Sequence, residues 1–216
     1  MLLIRANLDP TPDSGQPIKD LILEGMRFTF RDMRLRTLFI MECAVSTFGL
    51  AYLALMAAIA KDMLHLDKQG LGYALSSIGV GAILSLLFLS TRGTGHLRGL
   101  VIRIGMTVFG LALVALGFAR SGLVAFPLFG ILGMCAIMQF NSTNALFQMI
   151  APDRLRGRVI AMHIWALSGL GPFGTLFFGW LASRTSLPLV LHIGGVLVLA
   201  FAIWGWTQKK AFVDLP

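Results

Sequence analysis

Residues 123–150 read LVAFPLFGILGMCAIMQFNSTNALFQMI, a run without one charged side chain. Crossing the hydrocarbon core of a bilayer takes about 20 residues of α-helix, so this stretch is long enough to span a membrane. Five others match it: Leu35 to Ala60, Leu71 to Ser90, Gly99 to Phe118, Val159 to Ala182 and Leu187 to Trp206. Membrane β-strands need about 10 residues of alternating polarity, and nothing here alternates that way. The pattern predicts an all-α membrane protein with six transmembrane helices over 35–206. Composition agrees, at 56% hydrophobic and 13% charged residues in 216, because a soluble domain of this size needs far more polar surface.

The net charge of +8 has a topological cause and does not require a nucleic-acid partner. Fourteen of the 18 basic residues fall on one side of the spans: Arg5, Lys19, Arg27, Arg31, Arg34 and Arg36 before the first; Arg92, Arg98 and Arg103; Arg154, Arg156 and Arg158; and Lys209 and Lys210. Only Lys61, Lys68, Arg120 and Arg184 occupy the other side. Basic side chains resist translocation and pair with anionic headgroups, so the richer side is expected to be cytoplasmic and to hold both termini.

Segment 1–34 reads as a cytoplasmic linker with an amphipathic helix. Asn7 to Pro17 is rich in proline and polar residues, a linker signature. From Ile18 to Met33 apolar residues recur at helical spacing beside a basic face, which suits a helix lying along cytoplasmic headgroups. Residues 207–216 form a cytoplasmic tail. Met1-Leu-Leu-Ile-Arg5 resembles the end of an interrupted apolar segment, so the chain is expected to be a fragment or truncated product of something longer. Loops are too short to fold as domains, which places the function within the membrane helices. Cys43 and Cys135 lie in different spans and suit packing better than a disulfide.

Polar groups inside spans are costly and face a cavity or a neighbouring helix. In the fourth span, about 100° per residue puts Asn141, Asn144 and Gln148 on one face and Gln139 and Thr143 on the opposite one. Each amide is a candidate for helix-to-helix hydrogen bonding or for substrate contact. Glu42 is the one acid within a span, about 10 Å along the first helix. It is a candidate for proton coupling, or for a salt bridge with an arginine such as Arg158. Arg103, His163 and His192 read as interfacial anchors or packed polar groups. In the fifth span Gly169, Gly171, Pro172 and Gly174 cluster and are hinge candidates, while Gly171, Thr175 and Gly179 have the spacing of a close-packing face.

The turn Pro152-Asp153-Arg154-Leu155-Arg156-Gly157-Arg158 suits a charge latch, with Asp153 capping the next helix and pairing with a neighbouring arginine. A purely topogenic basic loop is the other reading. No clustered His, Asp or Cys set has nucleophile or metal-ligand spacing, and no glycine-rich nucleotide loop occurs. The sequence therefore predicts no enzyme, no metal, no cofactor and no ATP-driven pump.

The Pro152 to Val159 element, the following Gly169-Leu170-Gly171-Pro172-Phe173-Gly174, and Gly72-Tyr73 with Gly79-Val80-Gly81-Ala82 closely resemble major facilitator superfamily transporters. The likeness is greatest to the branch containing the enterobactin exporter and macrolide efflux permeases. It implies one half of a twelve-helix bundle, the six spans standing for the seventh to twelfth helices. It further implies a cavity lined by the first, second, fourth and fifth spans, a plasma-membrane location (the inner membrane in a bacterium), and a small amphipathic substrate of drug or siderophore class. Transport by alternating access would be driven by an ion gradient, with protons as candidate coupling ion. By the same resemblance Asp153, Arg154, Arg156, Gly157 and Arg158 form a cytoplasmic gate, and Thr91 to Arg98 holds the place of a second gate without its acidic residue. Alternating access needs a second six-helix half, from the same gene, a separate chain or self-pairing. A non-transporting membrane scaffold or an inactive remnant is the alternative.

Overall fold

A computed structural model of the chain describes residues 18–92, 97–208 and 211–212, where all regular structure is helical. The linker at 7–17, the segment Met1 to Arg5, the centre of the second connection at 93–96 and the tail lysines Lys209 and Lys210 lie outside the described residues. The elements are α1 (Ile18–Arg31), α2 (Met33–Ala44), α3 (Ala51–Ala54), α4 (Met56–Ala58), α5 (Lys68–Arg92), α6 (Arg98–Phe118), α7 (Gly122–Ile150), α8 (Arg156–Ser168), α9 (Gly171–Arg184) and α10 (Leu187–Thr207). Six helical stretches among them are long and apolar enough to cross a membrane.

The first span is not the single regular helix expected over 35–60. π-helical turns at Val45–Gly49 and Ile59–Met63 interrupt it, with the Leu50 amide donating back five residues to the Val45 carbonyl at 2.9 Å. Each such turn adds a residue and rotates the side chains that follow. The fifth span is broken between α8 and α9. Pro172 has no N–H to donate to the turn before it, and the helix resumes where the Gly174 amide donates to the Leu170 carbonyl at 3.2 Å.

The first span lies deepest, with 61% of its most apolar window buried, whereas the second and fifth reach only 17% and 28%. Tyr52 stacks on Phe129 of α7 and tilts against Phe109 of α6, tying three spans together. Backbone approach in lipid depends on small residues. Gly81 of α5 faces the Gly130 carbonyl of α7, and Gly133 of α7 faces the Ile78 carbonyl of α5, each too close to admit a methyl group. By contrast Gly72, Gly79 and Gly179 face open space. The close-packing stripe expected at Gly171, Thr175 and Gly179 is therefore corrected: its tight contact is Gly174, which lies against the Thr47 carbonyl.

Helix α1 joins α2 through an elbow at Asp32. The Asp32 carboxylate accepts the backbone amides of Arg34 at 2.8 Å and Leu35 at 3.3 Å, and pairs with the Arg34 guanidinium at 3.0 Å. Burial pushes the Asp32 carboxyl up, but the Arg34 side-chain and amide bonds, the Arg34 charge and the Leu35 amide together hold it below its ordinary 3.8. Stability from this cap is thus present above the unfolded value and lost as pH falls through the lower folded one. Asp32→Ala should cost about 1 kcal/mol at neutral pH and progressively less in acid. Thermal unfolding in detergent across that range checks it, with Asp32→Asn keeping most of the cap but flattening the pH dependence.

At the other end of the chain, the Arg103 guanidinium lies 4.5 Å from the Trp206 ring and 4.7 Å from that of Phe212. This cation–π clasp holds the end of α10 and the first tail residues against α6.

Candidate functional site

α7 carries its polar side chains on two faces. Gln139, Ser142 and Thr143 are buried, whereas Asn141 and Gln148 are exposed and Asn144 is half-buried. On the exposed face the Gln148 amide donates to Asn144 Oδ1 at 2.9 Å, and Asn141 Nδ2 donates to the Ile137 carbonyl at 2.9 Å. Both bonds run along the same helix. Beside Asn141 a groove of about 300 Å³ runs between α5 and α7, lined by Leu86, Leu89, Ser90, Arg98, Ser142 and Ala145. Where α7 ends, Arg156 Nε of the charged turn donates to the Gln148 backbone carbonyl at 3.3 Å.

In that turn Asp153 pairs with Arg156 at 2.6 Å. It does not cap the helix that follows: α8 opens with Leu155 at its cap and no side-chain hydrogen bond there. Arg154 and Arg158 instead converge on Glu24 of α1. Gly25 makes this possible, since a Cβ there would stand 3.0 Å from the Arg158 Cβ and 3.2 Å from its carbonyl oxygen. Helix α1 is therefore packed on α8 and α2. Its exposed residues mix Lys19, Arg27 and Arg31 with Ile22, Leu23, Met26 and Phe30. Gly157 faces open space, so no contact among the described residues requires its small size.

Glu42 is fully buried, and Arg158 is not its partner. His163 of α8 is, with Nδ1 at 2.7 Å from Glu42 Oε2. The histidine is 4% exposed and its ring lies 5.6 Å from that of Phe147. The second carboxylate oxygen, Oε1, is buried without a hydrogen-bond partner among the described residues. An unpaired polar atom in such a place is expensive and calls for an explanation.

The break in the fifth span meets the π turn of the first. Ser46 Oγ donates to the Leu167 carbonyl at 2.6 Å, supplying a donor where the helix ladder is interrupted. Gly171 comes near the same hydroxyl, and Gly174 sits against the Thr47 backbone. Of the hinge candidates, Gly169 caps α8, Pro172 is exposed in the first turn of α9, and Gly171 and Gly174 form this crossing.

Sequence reasoning missed three partners: His163 for Glu42, Glu24 for the two arginines and Ser46 for the broken helix. Glu24 had a readable signal, being an acid within about a turn of Lys19 and Arg27 on a helix with more basic residues than acidic ones. The other two pairings have no local signature.

A family model described as transmembrane secretion effector matches residues 7–213. Among curated proteins, the chain is 24% identical over 202 residues to an uncharacterized MFS-type transporter, YfmI, of Bacillus subtilis (strain 168), covering 92% of this chain and 49% of that protein. It is 28% identical over 175 residues to the multidrug efflux pump Tap of Mycolicibacterium fortuitum, covering 77% of this chain and 40% of that protein. The chain spans about half the length of the curated relatives it matches. No solved structure matches it.

Proposed function

The chain belongs to the transmembrane secretion effector family of MFS transporters, and on that premise we propose that it forms the carboxyl-terminal six-helix half of an efflux permease. The observation that carries this reading is the outward amide face of α7. Lipid would penalise exposed Asn141 within the apolar run of α7, whereas a watered path between two halves accepts it together with Gln148 in the last turn. Similarity to a protein named a multidrug efflux pump supports export of a small amphipathic compound of drug class; a siderophore is the other substrate class proposed.

The other half, from the same gene, a separate chain or a second copy, packs on the faces that α5, α8 and α9 leave bare. Exposed Tyr73, Val80, Leu84, Phe173, Leu176 and Trp180 supply that surface. The basic end, with both termini, is cytoplasmic by the sorting of its arginines and lysines. There the 153–158 turn serves as the gate, with Arg154 and Arg158 tethered to α1 through Glu24. The crossing of Ser46, Gly171 and Gly174 is the pivot about which α8 and α9 change their angle, and an ion gradient drives the cycle.

The reading is tested in cells carrying the native locus. Combined Asn141→Leu and Gln148→Leu should raise retention of an amphipathic fluorescent dye about threefold, the equivalent of losing one weak amide contact of about 0.6 kcal/mol. Leu111→Ala, on an exposed apolar face of α6, should leave it unchanged. Equal retention in all three strains, and in a strain lacking the locus, would remove export as the function.

A further inference from the structure

We infer that Glu42 and His163 together form a proton-binding site whose hold on the proton depends on how α8 sits against α2. The inference rests on the transport reading only for its use in coupling. The site itself stands on the geometry of this chain.

Two titratable groups, one fully buried and one 4% exposed, meet at 2.7 Å across 121 positions of sequence. Among the described residues, no further ion pair is made by either group. Arg154 and Arg158, near α8, are engaged with Glu24 of α1, and Arg156 with Asp153. α2 adds Arg34 with Asp32 at its start and the thiol of Cys43. α7 presents Phe147 to the histidine. α10 approaches α2 with Gly205, which lies against Met41. The π turn adds Ser46, whose hydroxyl is committed to the Leu167 carbonyl.

Charge arithmetic then fixes the occupancy. A carboxylate with a neutral imidazole carries one net negative charge; one added proton, on either group, makes the pair neutral, and a second makes it positive. In an apolar interior, a lone buried charge costs several kcal/mol, so the neutral state with one shared proton is the one the packed site holds. The bare Oε1 sharpens this, because a carboxylate oxygen without a donor is poorly placed to carry full charge. Water reaching Oε1 would lift the penalty and let the proton leave. The part able to admit water is α8, which ends five residues beyond His163, just before the Gly169 break. Movement about that break alters the very contact that sets proton affinity, which is what coupling requires.

Two measurements test this, and the first needs no transport. The chain in lipid nanodiscs at neutral pH should show either a protonated-carboxyl C=O band in the infrared, lost in Glu42→Gln, or a doubly protonated His163 ring by ¹⁵N NMR. Absence of both means that the pair holds no proton and overturns the site. The second uses proteoliposomes of the native-locus product. Glu42→Gln and His163→Gln should each lose at least tenfold in dye accumulation driven by a pH gradient while keeping energy-independent dye exchange within about twofold. Undiminished gradient drive in Glu42→Gln overturns the coupling role whatever the spectra show. Loss of exchange along with drive would make the pair structural, and likewise overturn it. Absence of exchange in the unaltered protein would count against the exporter reading instead, with the proton site then resting on the spectra.

Discussion

Gly133→Ala should destabilise the chain by about 2 kcal/mol, although the same change raises helix propensity by about 1 kcal/mol. The opposed signs make the result informative. Gly133 lies against the Ile78 carbonyl of α5, and Gly81 returns the contact against the Gly130 carbonyl of α7. The obstruction is backbone in both cases, and a rotamer change cannot relieve it. The two helices must separate or slide, giving up the close contact that holds α5 to the bundle, since α5 has little other burial. Gly79→Ala on the same helix is the control: with open space at that position, it should be neutral or stabilise by up to about 1 kcal/mol. Unfolding in mixed detergent measures both. Equal effects at Gly133 and Gly79 would mean that α5 is not seated by this notch.

Gly174→Val should have a comparable effect on stability, about 2–3 kcal/mol, and a larger one on movement. Its Cβ would fall on the Thr47 carbonyl in the π turn, where the first and fifth spans cross and where Ser46 already holds the Leu167 carbonyl. A bulkier residue forces the spans apart and breaks that hydroxyl bond, leaving a carbonyl unpartnered in an apolar setting. The graded comparison is Gly179→Val, which meets nothing and should stay within about 0.5 kcal/mol of the parent. Gly171→Val should lie between, because its Cβ would stand 3.4 Å from Ser46 Oγ. Reversal of the order of Gly174 and Gly179 would remove the crossing as the contact that sets the fifth span's angle.

The six spans were legible because lipid imposes a simple demand: apolar residues in runs long enough to satisfy every backbone group internally. The two faces of α7 were legible for a related reason, since helical period alone separates Asn141 and Gln148 from Gln139 and Thr143. Departures from regular helix were less so. Gly169 and Pro172 announce the break in the fifth span, but Val45 to Gly49 contains no proline, and its π turn lies where Gly49 meets Phe109 and Thr47 meets Gly174 of α9. Long-range polar pairing was not legible at all. Glu42 has arginines nearer in type to its expected partner, yet the topology places His163 beside it and gives Arg158 to Glu24. Asp153 has the residue type of a helix cap, but the Arg156 guanidinium takes its carboxylate and the cap is left to Leu155.

That this chain supplies half of an exporter is tested most directly by dye movement in proteoliposomes containing the native-locus product under an imposed pH gradient. Dye should accumulate against its own gradient, and the accumulation should collapse when an ionophore dissipates the pH difference. Folded protein, verified by its unfolding transition, that leaves dye distributed as in protein-free vesicles would contradict the claim.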